Sequence, residues 1–156
     1  MTIAFTLNGR HVSVQADADA SLYQVLRALH MSSVKCGCET TSCGLCTVHL
    51  DGAPVLSCSV PAPRCEGREV VTLEGVREEA RALGECLADE GAEQCGFCAP
   101  GLIMNVLALA RENPRATDEE ADAYLAGKLC RCSGYMSQRR AIRRFLDRVA
   151  AGEVRA

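Results

Sequence analysis

CGCETTSCGLC, residues 36–46, is the stretch that decides how the first half of this chain is interpreted. It spaces Cys38, Cys43 and Cys46 as C-x4-C-x2-C, and Cys58 follows further along the chain. The 156 residues contain eleven cysteines, and residues 1–10 lack the basic and apolar segments of a secretory signal. We therefore expect reduced thiols that bind metal, and not a disulfide framework.

These four cysteines, which we call the first site, match the plant-type ferredoxin spacing for a [2Fe–2S] cluster. Three thiolates would come from one loop and the fourth from a neighbouring element, and Gly44 would let the backbone pass close to the cluster sulfides. Zinc is the alternative, because it also accepts four cysteines. Zinc sites usually pair two short C-x2-C segments, so the spacing favours iron and sulfur.

A second group, which we call the second site, combines C-x2-C at Cys95 and Cys98 with C-x-C at Cys130 and Cys132. By spacing alone, zinc and an iron–sulfur cluster fit this group equally well. Cys95 and Cys98 directly precede a predicted helix that begins near Pro100. Because helix N-termini favour negative charge, that position suits an anionic, thiolate-bound cluster.

The residues around the first site predict a small α+β sheet domain. Apolar residues alternate on both sides of Asn8-Gly9, which is a strong hairpin signal. Asp19 or Ser21 is expected to cap a short helix. Strands are predicted over residues 3–7, 12–14, 47–50, 54–57 and 70–73, and the helix over residues 22–29.

The residues around the second site predict four helices with short connections. Thr117 and Glu120 form a capping box, and Leu129 is expected on the core face of the helix that follows. The boundary between the two halves gives domains of residues 1–74 and 75–156. The helices are predicted over residues 74–87, 100–113, 117–129 and 142–149.

Three longer stretches carry a family resemblance. They are KCGCETTSCGLCTVHLDGAPVLSC at residues 35–58, GAEQCGFCAPGLIMNVLAL at residues 91–109 and LAGKLCRCSGYMSQRRAI at residues 125–142. In this order they resemble the small iron–sulfur subunit of the xanthine dehydrogenase and aldehyde oxidoreductase family of molybdenum hydroxylases. Together they span nearly the whole chain, so their joint specificity is high.

The resemblance implies a β-grasp, plant-type ferredoxin-like domain followed by an all-α four-helix bundle, each with one [2Fe–2S] cluster. It implies that the first cluster is held by Cys38, Cys43, Cys46 and Cys58. It implies that the second cluster is held by Cys95, Cys98, Cys130 and Cys132.

The resemblance also implies partner subunits. In the family a large subunit holds a molybdenum-pterin cofactor, which Gln94 would contact and to which Cys132 would lie close. Electrons would pass from molybdenum to the second cluster, then to the first, and then to FAD on a medium subunit or to another acceptor. Family substrates are usually aldehydes or nitrogen heterocycles, and the loop of the first site slightly favours the purine or xanthine type. The chain would be an oxidoreductase subunit without substrate chemistry of its own.

The loop between the first two ligands departs from many relatives, because residues 39–42 are Glu-Thr-Thr-Ser and include no glycine. We expect its backbone to follow a path that is open to residues with side chains. The hydroxyl groups of Thr40, Thr41 and Ser42 could donate to cluster sulfurs, or they could cap the loop backbone. Capping is common for Ser and Thr and is favoured.

Residues outside the two sites are expected to have structural roles. They are the remaining cysteines, the histidines and the basic C-terminal segment. Cys36 could compete with Cys38 as a ligand, but the C-x4-C spacing favours Cys38, and Cys36 is expected to be a buried small residue beside the first site. Cys65 and Cys86 are expected to be ordinary thiols. The three histidines are not expected to be ligands, since four cysteines already fill each site. Five arginines between positions 139 and 148 predict a solvated helix face, and docking to an acidic surface or a cofactor phosphate is the alternative.

Composition and motifs exclude several functions. A net charge of −3 and a lack of aromatic platforms argue against nucleic acid as a partner. No apolar run approaches the roughly 20 residues of a membrane helix, and a cytoplasmic location is expected. Neither a phosphate loop nor a dinucleotide fingerprint is present. Two alternatives stay open, which are a free-standing two-cluster ferredoxin and a zinc-stabilised interaction module.

Overall fold

The computed structural model describes residues 1–156 and contains a five-stranded sheet and five α-helices, which confirms a fold of mixed α and β structure. The strands are β1 (Thr2–Leu7), β2 (Arg10–Gln15), β3 (Thr47–Leu50), β4 (Ala53–Leu56) and β5 (Glu69–Val71). The helices are α1 (Leu22–Ala28), α2 (Arg77–Asp89), α3 (Ala99–Glu112), α4 (Asp118–Leu125) and α5 (Met136–Ala150). None of them is both long enough and apolar enough to cross a membrane.

The sheet comes entirely from the first half of the chain and has the strand order β2-β1-β5-β3-β4. β1 and β2 form the hairpin predicted at Asn8-Gly9, where the two residues have positive φ angles of 51° and 76°. β5 pairs in parallel with β1 and antiparallel with β3. Because side chains alternate along a strand, Ile3, Phe5 and Leu7 all point to the buried face of the sheet.

Helix α1 packs into the core of this sheet. Its cap is Ser21, and not Asp19, because the Ser21 hydroxyl group accepts the Gln24 N–H and the Gln24 side chain accepts the Ser21 N–H. Leu22 and Leu26 are completely buried. Thirteen buried residues, all from the first 70 positions, form this one core.

The second half of the chain builds a separate core of nineteen buried residues. Helix α3 is its centre, since all ten residues of Gly101–Ala110 are buried. Pro100 lies in the first turn of α3, where a missing N–H costs nothing, and the helix ends at the predicted Asn113. The second half contains no strand, so the expected change from sheet to helices along the chain is present.

Helix α2 begins later than predicted. The Glu74 carboxylate accepts hydrogen bonds from the N–H and hydroxyl groups of Ser33 and from the hydroxyl group of Thr72. These bonds hold Leu73–Gly75 in a 3-10 turn, and the α-helix starts at Arg77. A long-range contact therefore overrides the local helical pattern at this position.

Helix α4 has the predicted capping box between Thr117 and Glu120 but ends at Leu125. The prediction that Leu129 lies on its core face is wrong, because Leu129 follows the helix and is 50% exposed. Its backbone N–H donates to the carbonyl oxygen of Cys43 at 3.0 Å. The segment after α4 is thus fixed against the first half of the chain and not against its own helix.

Helix α3 joins the two halves by packing on β3 and β4. His49 on β3 is buried there, with Nε2 2.7 Å from the Met104 carbonyl oxygen and Nδ1 3.2 Å from Arg111 Nη1. A Cβ atom built on Gly101 would lie 2.8 Å from the carbonyl oxygen of Gly44. Glycine is required at position 101 because the two backbones leave no room for a methyl group.

Candidate metal centres

The structure brings the four cysteines of the first site around one small cavity. Cys43 and Cys46 lie in the loop that leads into β3, and both are buried. Cys38 lies near the start of the same loop, and Cys58 belongs to the 3-10 turn Ser57–Ser59 that follows β4. Three thiols therefore come from one loop and the fourth from a neighbouring element.

The thiols of the first site form two contacting pairs, Cys38 with Cys43 and Cys46 with Cys58. A hydrogen bond with the Cys43 thiol, followed by bonds from three backbone N–H groups of the loop, lowers the pKa of Cys38 to about 6. Burial raises the pKa of Cys58 to about 12, and the Cys46 thiol adds to this rise. Cys38 ionises readily, whereas Cys58 keeps its proton until a metal ion replaces it.

The four cysteines of the second site line another small cavity. They also form two pairs, because Cys132 Sγ lies 3.6 Å from Cys95 Sγ and the Cys98 thiol contacts Cys130. Cys98 is the N-cap residue of α3, which confirms that this pair of cysteines directly precedes a helix. The positive end of the helix stabilises a thiolate at that position.

Side-chain donors surround the second site. Burial raises the pKa of Cys98 to about 11, and its contact with Cys130 adds to the rise. Burial acts in the same direction on Cys130, but the hydroxyl and N–H groups of Ser133 donate to its sulfur at 3.3 and 3.4 Å and lower its pKa to about 7. Gln138 Nε2 donates to Cys98 Sγ at 3.8 Å. Two of the four sulfurs therefore receive a hydrogen bond from a polar side chain.

The paired thiols fit a [2Fe–2S] cluster. Each iron of such a cluster takes two cysteine thiolates, so a site for one cluster needs two pairs of thiols around one small cavity. Both sites have that arrangement. No three His, Cys, Asp or Glu side chains gather closely enough to share one metal ion. The donor set of each site is therefore suited to a cluster of two irons.

The glycine-free loop does not follow the expected path. Thr41 has a φ angle of 56°, in the left-handed region that disfavours a β-branched residue. The expectation of a backbone open to side chains is therefore wrong at this one residue. Thr40 Oγ1 and Ser42 Oγ lie 2.9 Å apart, and the Thr41 hydroxyl group donates to the Thr40 carbonyl oxygen at 2.7 Å. Of the three hydroxyl groups, only that of Thr41 caps the loop backbone, whereas those of Thr40 and Ser42 bond to each other.

The three cysteines outside the two sites differ in their surroundings. The prediction that Cys36 is buried is wrong: Cys36 is exposed at the outer rim of the first cavity, and its thiol donates to the Cys38 carbonyl oxygen at 3.3 Å. Local bonding within the loop turns this side chain away from the core. Cys65 and Cys86 are buried in the two cores, as expected for ordinary thiols.

Several polar residues that contact the sites were not predicted from the sequence. Gln138 occupies a buried position on the apolar face of α5, four residues before Ile142, and that unusual placement is a signal that the sequence contains. Lys128 donates to Thr47 Oγ1 at 2.9 Å. Burial lowers the pKa of Lys128, and the Cys46 and Cys43 thiols oppose this effect. No local pattern indicates the Lys128 contact, because Thr47 is distant in sequence.

Gln94 and Cys132 lie next to each other at the surface of the second site. Gln94 is exposed, and its Nε2 donates to the Cys132 carbonyl oxygen at 3.1 Å. The two residues that the family resemblance associates with a pterin are thus in contact with one another.

The arginines of α5 are neutralised within the chain. Each lies within ion-pair distance of an aspartate or glutamate from α2, from Glu90 at its C-cap, or from α4, α5 or the C-terminal segment. They are Arg139, Arg140, Arg143, Arg144 and Arg148. This pairing supports the interpretation of a solvated helix face, because little free positive charge is left for an acidic surface or a phosphate.

Comparison with known families gives two adjacent matches. A family model described as a 2Fe-2S iron-sulfur cluster binding domain matches residues 5–70. A second, described as a [2Fe-2S] binding domain, matches residues 72–143. The two matched ranges contain the first and the second site respectively.

Relatives with known names cover almost the whole chain. The nicotinate dehydrogenase small FeS subunit of Eubacterium barkeri is 39% identical over 96% of this chain and 98% of its own length. The xanthine dehydrogenase iron-sulfur-binding subunit of Escherichia coli O157:H7 is 43% identical over 86% of this chain and 87% of its own. A chain of quinoline 2-oxidoreductase from Pseudomonas putida 86 superposes with a TM-score of 0.89 at 33% identity, covering 99% of this chain and 98% of that one. The chain belongs to the molybdenum hydroxylase family, as its small [2Fe–2S] electron-transfer subunit.

Proposed function

We propose that this chain passes electrons one at a time from a molybdenum-pterin on a large partner subunit to FAD on a medium subunit. The observation that carries the proposal is the short connection between the two sites. The Leu129 N–H donates to the Cys43 carbonyl oxygen, and Leu129 directly precedes Cys130. A cysteine of the first site is therefore linked to a cysteine of the second by one hydrogen bond and one peptide unit.

The proposed ligands are the four cysteines of each site. In the first cluster, Cys38 and Cys43 would bind one iron, and Cys46 and Cys58 the other. In the second cluster, Cys95 and Cys132 would bind one iron, and Cys98 and Cys130 the other. The thiol contacts within each pair support this assignment.

The proposed domains are a β-grasp, ferredoxin-like unit of residues 1–74 and a four-helix bundle of residues 75–156. The two separate cores support this division, since the buried residues of each come from only one side of the boundary. When bound, each cluster accepts and releases a single electron. The residues of the chain hold the cluster, exclude water from the buried thiols and donate hydrogen bonds to the sulfurs.

The second site is proposed to face the large subunit. Four large apolar side chains are exposed in the segments that form this site: Phe97, Leu129, Tyr135 and Met136. Leu129, Tyr135 and Met136 line one groove, and an exposed apolar groove beside a functional site is typical of an interface that a partner covers. Gln94 and Cys132 lie at the same surface, and their contact supports their proposed position beside the pterin.

The substrate of the assembly is proposed to be a nitrogen heterocycle. The names of the relatives refer to nicotinate, xanthine and quinoline, which all contain a ring nitrogen. Oxidation would take place on the large subunit, at the molybdenum-pterin. The assembly is proposed to be cytoplasmic. The exposed apolar groove at the second site favours a subunit of a larger assembly over a free-standing ferredoxin, whose surface would be polar.

Metal analysis and electron paramagnetic resonance of the dithionite-reduced assembly test the proposal. We expect about four irons per small subunit and two distinct [2Fe–2S] signals. The double variant Cys95→Ala/Cys98→Ala should lose one signal and half of the iron, and it should stop turnover with flavin-dependent acceptors. Cys65→Ala is the control, because this buried thiol lies outside both sites. Zinc in place of iron, or full activity of the double variant, would contradict the proposal.

A further inference from the structure

Lys128 lies between the two sites. It lines a small cavity to which Cys43 contributes from the first site and Cys98 and Cys130 from the second. Its side chain crosses the first-site loop at Gly44, where an added Cβ atom would lie 2.5 Å from Lys128 Cδ and 2.8 Å from its Nζ. Gly44 itself has a φ angle of 74°, so a side chain at this position is excluded both by conformation and by the Gly127 carbonyl oxygen, 2.6 Å from the added atom.

The ammonium group is held on the side of the first site. Lys128 Nζ donates to Thr47 Oγ1 at 2.9 Å, and the Thr47 hydroxyl group donates to the Gly44 carbonyl oxygen at 2.8 Å. Thr47 directly follows Cys46, and Gly44 directly follows Cys43. The charged end of the side chain is therefore fixed against the loop between two first-site cysteines, although its backbone belongs to the segment of the second site.

No carboxylate neutralises this charge. The arginines of α5 are all ion-paired, whereas Lys128 is within ion-pair distance of no aspartate or glutamate. A partly buried cation acts more strongly on its neighbours than a solvated one, because the surrounding dielectric constant is lower. The strength of the effect falls with distance, so the first site feels it more than the second.

We infer that Lys128 is a positioning residue for electron transfer, whose charge raises the reduction potential of the first site relative to the second. This inference rests on the proposed function, in which an electron leaves the reduced second cluster and reduces the oxidised first cluster. Only the electron moves between them, so no proton or further reactant is needed. A cation beside the first site stabilises the added negative charge there and biases the electron towards that site.

The inference is tested by redox titration of the complete assembly, with electron paramagnetic resonance to follow the two clusters separately. In Lys128→Met we expect the equilibrium between the two singly reduced forms to shift about tenfold towards the second site, which corresponds to about 59 mV for a one-electron couple. Lys128→Gln retains an N–H donor for Thr47 but has no charge, and it should shift the equilibrium as Lys128→Met does. Lys128→Arg keeps the charge and should restore most of the original difference.

Arg81 provides a matched control. It lies on α2, its side chain is 74% exposed, and it lines neither of the two cavities. Arg81→Met changes the net charge equally, and solvent screening should keep its shift below about threefold. Equal shifts in Arg81→Met and Lys128→Met, or unchanged potentials in Lys128→Gln, would overturn the inference. Loss of both clusters from the unsubstituted chain would instead overturn the proposed function.

Discussion

The cysteine sulfurs of the two sites receive hydrogen bonds from different kinds of donor. In the first site, backbone N–H groups of one loop point at Cys38 and lower its pKa. In the second site, the side chains of Ser133 and Gln138 reach the sulfurs of Cys130 and Cys98. Backbone donors remain whatever the side chains are, whereas side-chain donors disappear with one substitution. The second site is therefore the one whose redox properties a point mutation can change most directly.

The largest effect is expected from a substitution that pushes the two sites apart. Gly101→Ala places a methyl group 2.8 Å from the carbonyl oxygens of Gly44 and Leu45, so α3 has to move away from the first-site loop. We expect the chain to lose about 1–3 kcal/mol of stability, as overpacked cores do. Chemical denaturation measures the loss. Gly84→Ala on α2 is the control, since nothing lies near its Cβ position, and it should be neutral or stabilising. Equal effects of the two variants would refute the idea of a required close approach.

The contact between the two halves also predicts a dependence on pH. Burial lowers the pKa of His49, the bond to the Met104 carbonyl group opposes this, and Arg111 lowers it further. The unfolded chain therefore binds a proton that the folded chain does not, and stability falls as the pH drops below the ordinary histidine value of about 6.5. The slope of the free energy of unfolding against pH should approach about 1.4 kcal/mol per pH unit, the value for one proton.

Urea denaturation between pH 7.5 and 5.5 measures this slope. His49→Gln removes the titrating group, and the slope below about pH 6.5 should become shallower. His11 and His30 are retained in both proteins and serve as internal controls. An unchanged slope in the variant would show that the interface does not depend on a neutral imidazole.

A smaller effect is expected from the side-chain donors of the second site. Gln138→Leu removes the hydrogen bond to Cys98 and should lower the potential of the second site. The expected change is about 1 kcal/mol, roughly fivefold in the reduction equilibrium. Ser42→Ala is the matched change at the first site, where the hydroxyl group bonds only to Thr40, and it should leave both potentials in place. A larger shift in Ser42→Ala than in Gln138→Leu would reverse the comparison between the sites.

The smallest expected effect concerns strain in the first-site loop. Thr41 adopts a left-handed conformation that glycine tolerates far better. Thr41→Gly should stabilise the chain by about 0.5–1 kcal/mol, after allowance for the greater flexibility of glycine in the unfolded state. Thr40→Gly gives the control, because Thr40 is not left-handed and its replacement should destabilise. Thermal unfolding distinguishes the two, and a destabilised Thr41→Gly would show that the loop is not strained.

Much of this architecture follows from local sequence signals. The hairpin at Asn8-Gly9, the capping box at Thr117 and the start of α3 near Pro100 each depend on a few neighbouring residues. The grouping of the cysteines around two cavities also follows their order along the chain. Such features are predictable because the physical causes act over one or two turns of backbone.

The features that sequence patterns missed depend on contacts between segments that are distant in sequence. Leu129 is exposed because its N–H is used by Cys43, and Glu74 lies outside α2 because Ser33 binds it. Neither partner is near in sequence. The role of Lys128 arises in the same way, from a contact with Thr47. Long-range contacts of this kind leave no periodic signal in a single sequence.

The close backbone contact between Gly44 and Gly101 also bears on the rate of electron transfer between the two sites. Electron tunnelling between redox centres weakens steeply with each added ångström of separation. Gly101 permits the short separation between the two halves at this point, although it carries no redox group and binds no metal. A bulkier residue at position 101 is therefore expected to slow electron transfer between the two sites while leaving both clusters intact.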